Sequence, residues 1–161
     1  MTKASRLLTG CAILIASAIT TQARSSLGAK DTLAVVVAKS FPVDSLSFGD
    51  LKRLYMGNPV TAGGKTLIPL TYPKQAAERM VFDQGVLGMS PDEVGRYWID
   101  RKIRGQSGAP KTVDSAEVVM KVVAKVEGSI GYVRNGSTNA AVKILRIDGK
   151  LPTDSGYRVG N

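Results

Sequence analysis

Three short segments carry the side chains that could do chemistry in this chain. They are Ala38-Lys39-Ser40, Thr71-Tyr72-Pro73-Lys74-Gln75-Ala76 and Thr112-Val113-Asp114-Ser115. Their hydroxyl, amide and ammonium groups donate hydrogen bonds, the chemistry that holds a small oxyanion. The candidate ligand-binding residues are therefore Lys39, Ser40, Thr71, Tyr72, Lys74, Gln75 and Ser115. Each also has a plain explanation as a cap or a loop-solvating residue. Other chemistries lack their residues. Histidine is absent and Cys11 is the single cysteine. A Ser-His-Asp triad, a Cys-His pair and a His/Cys zinc site are thereby excluded. The acidic residues are scattered and form no calcium loop, so no metal and no cofactor is expected. A hydrolase reading would use paired carboxylates such as Asp92 and Glu93 as acid and base. They fall in a helix-capping position, and adjacent helical residues point apart. The chain does not read as an enzyme.

The elements that must position these residues follow from periodicity. Thr32–Ala38 is an apolar, β-branched run without alternation, the signature of a strand covered on both faces. A helix opens at Ser47, with Phe48, Leu51 and Leu54 on one face and Gly57 at its end. Asn58-Pro59 and Gly63-Gly64 punctuate the return, and Thr66–Tyr72 is the second strand. This order predicts a βαβ unit with a right-handed crossover. Lys74–Leu87 reads as a helix ended by Gly88. Ser90-Pro91-Asp92-Glu93 is a capping box with proline at the first helical position. Val94, Tyr97 and Trp98 follow at helical spacing, with Trp98 read as packing. After the turn-rich stretch 105–110, a valine-rich helix runs from Asp114 to Glu127. Its apolar face is Val118, Val119, Val122, Val123 and Val126. Ser129–Val133 is a short strand, Asn135-Gly136 a turn, and Ala141–Ile147 a final strand suited to a sheet edge. The expected fold class is α/β, a three-layer α/β/α sandwich around a small mixed, mainly parallel sheet. Ligands in such sheets gather at the carboxyl ends of strands, near helix N-termini, where the three segments should meet.

The wording of these elements is itself informative. "LAVVVAKS", "FGDLKRLYMGNPVTAGGKTLIPLTYPKQAAERMVF" and "VEGSIGYV", in that order, resemble the phosphate-binding proteins of ABC transporters. Those are type II periplasmic binding proteins. The resemblance covers one lobe, roughly residues 33–133, with "LYMG" and "GSIGYV" as its most specific pieces. It implies a periplasmic solute-binding protein with a phosphate-like ligand, or an accessory to an ABC-type phosphate uptake system, with an ABC permease or another envelope protein as partner. In the resembling proteins the second strand runs into a loop whose Arg and Ser-Gly-Thr segment grip phosphate. Here Ala76, Ala77 and Glu78 replace the Ser-Gly-Thr, and Thr71 or Tyr72 replaces the Arg. Glu78 brings a negative charge to a helix start, where it would repel an anion or occupy the dipole itself. Two-lobed receptors enclose their ligand. A single lobe offers an open rim, and a homodimer facing rim to rim would restore enclosure.

Composition adds the compartment. Lys3 and Arg6 precede an apolar stretch from Leu7 to Ile19, and Thr21-Gln22-Ala23 offers a cleavage site. Residues 1–23 thus read as a signal peptide, 24–148 as the α/β domain and 149–161 as a flexible, Gly/Pro/Asp-rich tail. Export to the periplasm is expected, with no transmembrane segment in the mature chain. Cys11 precedes most of the apolar run, the wrong order for a lipoprotein box, and it leaves with the signal. Cleavage lowers the basic count from 22 to 20 against 13 acidic residues. That excess suits a small anion or an acidic surface. No basic-aromatic array of a nucleic-acid binder is present. A second reading is an interaction module with no small ligand. Lys52, Arg53, Arg96, Arg101, Lys102, Arg104, Lys121 and Lys125 would then dock an acidic envelope protein or the anionic envelope surface.

Overall fold

The computed structural model describes residues 32–160. The expected signal peptide lies outside the described residues. Strand β1 (Leu33–Ala38) is buried along its whole length at the centre of the molecule. It pairs antiparallel with β7 (Ser129–Arg134) on one side and with β8 (Val142–Ile144) on the other. β7 then pairs parallel with β5 (Ile68–Thr71), and β5 with β6 (Lys111–Thr112). The five-stranded order is β6-β5-β7-β1-β8. Four strands share one direction and β1 alone opposes them, so the sheet is mixed and mainly co-directional.

The predicted βαβ unit is not formed. β1 and β5 run in opposite directions and β7 lies between them. An unbroken apolar run reports burial on both faces, which a central antiparallel strand experiences equally. It carries no information about direction.

Helices cover both faces, as the α/β/α expectation requires. Successive strand residues point to opposite sides. At Gly131 a Cβ would lie 2.5 Å from Val119 Cγ1 of α4 (Ala116–Lys125), so this glycine lets the valine-rich helix sit close. Val119 and Val123 are fully buried there. Val126, expected on that face, is the C-cap and is exposed. The neighbouring Tyr132 points the other way. Its ring stacks on Phe82 of α2 (Ala77–Phe82) at 4.0 Å and meets Tyr55 of α1 (Phe48–Tyr55) at 5.8 Å.

Element boundaries moved where turn chemistry intervened. A hairpin of β3 (Thr61–Ala62) and β4 (Lys65–Thr66) turns through Gly63 and Gly64, both at positive φ, before β5 begins. The helix expected from Lys74 starts at Ala77, after a turn in which Ala76 N–H bonds the Pro73 carbonyl. It widens to a π-helical turn over Asp83–Leu87, and Gly88 closes it in the left-handed conformation. The final strand splits into β8 and β9 (Arg146–Ile147), and β9 pairs parallel with β2 (Ser45–Leu46).

The tail differs most from expectation. Tyr157 and Val159 are buried, the Tyr157 hydroxyl donates to the Leu33 carbonyl at 2.9 Å, and Leu33 N–H donates to Val159 O at 3.1 Å. Arg158 lies over the Phe48 ring at 4.0 Å. Gly, Pro and Asp mark turns, but two apolar residues at alternate positions are enough to dock a segment whose turns are tight.

The capping box of α3 (Pro91–Ile103) forms as read. Ser90 Oγ accepts from Glu93 N–H, and the Glu93 carboxylate accepts from Ser90 N–H at 2.7 Å. Ser90→Ala is expected to cost about 1 kcal/mol, read as a drop of roughly 3 °C in Tm for a domain of this size. An unchanged Tm would show that tertiary packing alone holds this end.

Candidate functional site

Strand direction decides which residues meet. β5, β6 and β7 end at one rim, and β1 begins there, because Leu33 pairs with Arg134 and Val37 with Ile130. The second and third segments therefore come together, with Thr71 beside Thr112 and Val113 N–H on the Thr71 carbonyl at 2.8 Å. The first segment does not join them. Lys39 and Ser40 are exposed at the opposite end of the sheet. Ser40 lines a cavity of about 250 Å³ there with Phe41, Lys65 and Glu127, and Lys65 Nζ pairs with Glu127 at 2.7 Å. The expected convergence of all three fails because β1 is reversed.

Within the rim, several predicted side chains serve the protein rather than solvent. Thr71 is buried, with its hydroxyl 2.8 Å from the Tyr132 hydroxyl. Tyr72 is buried and its hydroxyl donates to the Tyr132 carbonyl at 2.9 Å. Burial pushes the Tyr72 and Tyr132 phenols well up, so both stay neutral. Ser115 caps α4 by accepting from Val118 N–H at 3.3 Å. Lys74 is exposed and pairs with Asp92 at 2.6 Å, and Gln75 is exposed. Asp92 and Glu93 are thus an ion-pair partner and a cap.

The rim also holds two guanidinium–carboxylate pairs that sequence reasoning left unassembled. Arg79 Nε donates to both Asp83 oxygens at 2.8 and 2.7 Å, and its Nη1 donates to the Tyr72 carbonyl at 3.0 Å. Both side chains are largely buried, at 15% and 2% exposure. Burial lifts the Asp83 carboxyl above its ordinary value, and the Arg79 charge offsets only part of this. Arg134, the last residue of β7, donates from Nε to Glu78 Oε1 at 2.6 Å. Burial opposes ionisation of Glu78. Hydrogen bonds from Arg134 and from its own backbone N–H outweigh it and hold the carboxyl below its usual range. Arg134 directly follows the "GSIGYV" segment. Its place at a strand's carboxyl end was the available signal.

"LYMG" is a structural node. Tyr55 donates to the Leu70 carbonyl at 2.9 Å, and the Met56 carbonyl accepts from Tyr97 at 2.8 Å. Gly57 and Gly108 meet so closely that a Cβ on Gly108 would lie 2.5 Å from Gly57 O, while Trp98 packs over Gly57. Arg101 ties α3 to both loops through the Gly57 and Ser107 carbonyls. A groove of about 380 Å³ opens beside this node, lined by Leu54, Asn58, Ile68, Pro69 and Lys111 among others. It sits at the start of β5, away from the charged rim. Among the described residues no group of three Asp, Glu, His or Cys is placed to hold a metal. No described helix is long and apolar enough to cross a membrane.

Comparison with known proteins agrees with this architecture. No family model matches the chain. A 60-residue stretch is 37% identical to the phosphate-binding protein PstS 2 of Streptococcus agalactiae, covering 37% of this chain and 20% of that one. An ABC-type phosphate transport receptor from Vibrio cholerae superposes with a TM-score of 0.61 at 20% identity, over 78% of this chain and 49% of the receptor. PstS from Borrelia burgdorferi gives 0.59 at 15% identity, over 78% and 50%. The chain thus spans about half the length of the solved structures and a fifth of the curated relative it matches. The resemblance read from the sequence stands: in fold this chain corresponds to half of a phosphate ABC-transporter substrate-binding protein, and part of it matches one in sequence.

Proposed function

We propose that the chain is an exported, non-enzymatic solute-binding protein whose rim at the ends of β5, β6 and β7 takes a small oxyanion. The observation that carries this reading is the shared direction of those three strands. It gathers Lys74, Ser115 and Arg134 on one edge. The ligand contacts are then the Lys74 and Gln75 side chains, the Ser115 region and Arg134. Thr71 and Tyr72 act from beneath as supports. Phosphate is the first anion to test, because phosphate appears in the names of the relatives. Residues 1–23 would direct export to the periplasm. The partner would be an ABC permease or another envelope protein, with a homodimer as one way to close the open rim.

A titration with phosphate, sulfate and small carboxylates tests the reading by thermal shift. Binding stabilises by RT ln(1 + [L]/Kd), about 2.7 kcal/mol at one hundred times Kd. A flat response to every anion would overturn it. One observation favours the interaction-module reading in that event. Ile99 and Ile103, one turn apart on α3, are 61% and 80% exposed, among basic residues such as Arg96 and Lys102.

A further inference from the structure

The outward face of α3 is built unlike an ordinary solvated helix face. Ile99 and Ile103, one turn apart, are the two most exposed large apolar side chains among the described residues. Gly95 stands one turn before Ile99 on the same stripe, and a Cβ there would meet nothing within 4 Å. The inner face of the helix is engaged with its own chain. Val94 is buried, Trp98 packs over Gly57, and Tyr97 and Arg101 donate to the Met56, Gly57 and Ser107 carbonyls. Glycine weakens a helix interior, and an isoleucine left in water contributes no burial. A notch followed by two apolar knobs suits the close approach of a second helix.

We propose that this stripe is a self-complementary contact: α3 of a second copy of the chain packs on it antiparallel, with the two-fold axis at Ile99. Ile103 lies four residues after that axis and Gly95 four before it. Each Ile103 therefore enters the other copy's Gly95 notch, and the two Ile99 side chains meet. Such reciprocity is what an isologous two-fold interface requires. The charges select the antiparallel arrangement. Asp92 and Glu93 stand in the first turn of α3, and Arg101, Lys102 and Arg104 at its other end. An antiparallel copy sets the acidic end against the basic end, whereas a parallel copy sets like against like. On one flank, Arg96 comes within about 3 Å, along the axis, of the level of Asp100 in the second copy. A single helix pair buries less than the roughly 800 Å² per partner of a standard interface, so the dimer is weak and concentration-dependent. Lys74 pairs with Asp92, which puts the rim beside the N-terminal end of α3. Antiparallel packing then sends the two rims to opposite ends of the dimer and leaves both open.

Sedimentation equilibrium of the chain purified after export, from micromolar to millimolar concentration, tests the contact. The wild-type mass is expected to rise from one copy toward two. Gly95→Gln fills the notch with a better helix former, so it should raise Tm while weakening the dimer by about tenfold or more. Ile103→Ser removes the knob, leaves the buried face untouched and should weaken the dimer similarly. Gly95→Ala takes the place of Gly95→Gln if thermal unfolding shows that the larger residue is not tolerated. Weakening in both the notch and the knob variant supports the contact. A monomer at every concentration overturns it, and so does a wild-type dimer retained at full strength in either folded variant. Neither outcome touches the oxyanion reading, whose test is anion binding.

Discussion

Replacing Tyr132 by alanine is expected to remove about 3–5 kcal/mol of folding stability, the range for deleting a large buried aromatic ring. The ring is 1% exposed and stacks on Phe82 at 4.0 Å with planes 8° apart. It also meets Tyr72 edge-on at 5.3 Å and Tyr55 at 5.8 Å. Those three rings belong to α1, α2 and the end of β5, so no single element can shift to fill the hole. Out of a typical total of roughly 5–15 kcal/mol, that loss brings the chain near the edge of folding at physiological temperature. Tyr132→Phe separates ring from hydroxyl. It keeps the stack but deprives the buried Thr71 hydroxyl of its 2.8 Å partner, at about 1–3 kcal/mol. Urea unfolding with matched m-values reads both. A Tyr132→Ala cost below about 1 kcal/mol would mean the cluster does not hold the two layers together.

The same cluster shows what could be read in advance. "GSIGYV" places Gly131 and Tyr132 on opposite faces by strand alternation alone. A glycine toward the valine-rich helix and a tyrosine toward the other layer follow from β7 being a strand. The capping box at Ser90 and the terminator at Gly88 were legible because their signals are local. The direction of β1 was not. Residues 33–38 would look identical in either orientation, and their partners lie about a hundred residues away. That single ambiguity removed Lys39 and Ser40 from the rim. The roles of Thr71 and Tyr72 were hidden for a related reason. Their hydroxyls suit a ligand equally well, and only the arrival of Tyr132 beneath them turns them inward. The charged pairs involve contacts of both kinds. Arg79–Asp83 has helical i,i+4 spacing that sequence could have flagged, whereas Arg134–Glu78 spans two elements.

Asp83→Ala is the second large effect, expected at about 3–5 kcal/mol, because it strands the Arg79 guanidinium at 15% exposure, still donating to the Tyr72 carbonyl but without the carboxylate that balances its charge. The loss belongs to the broken pair and not to the pair's net worth. Replacing both members by apolar residues of similar volume, Arg79→Met with Asp83→Leu, is therefore expected to recover most of it. The pH dependence carries an independent signature. Glu78 has a folded pKa below its unfolded value. The unfolded chain binds more protons in the acid range, and Glu78's contribution is lost as pH falls. Asp83 has the opposite sign. Burial lifts its folded pKa, the native state binds the extra proton, and its contribution falls as pH rises from the ordinary carboxylate value to the lifted one. Asp83→Asn deletes that opposing contribution. Its stability should climb more steeply with pH across this window than wild type does, measured by chemical unfolding at a series of pH values. An unchanged slope would show that Asp83 titrates alike in both states, and the Arg79 pair would then fully compensate its burial.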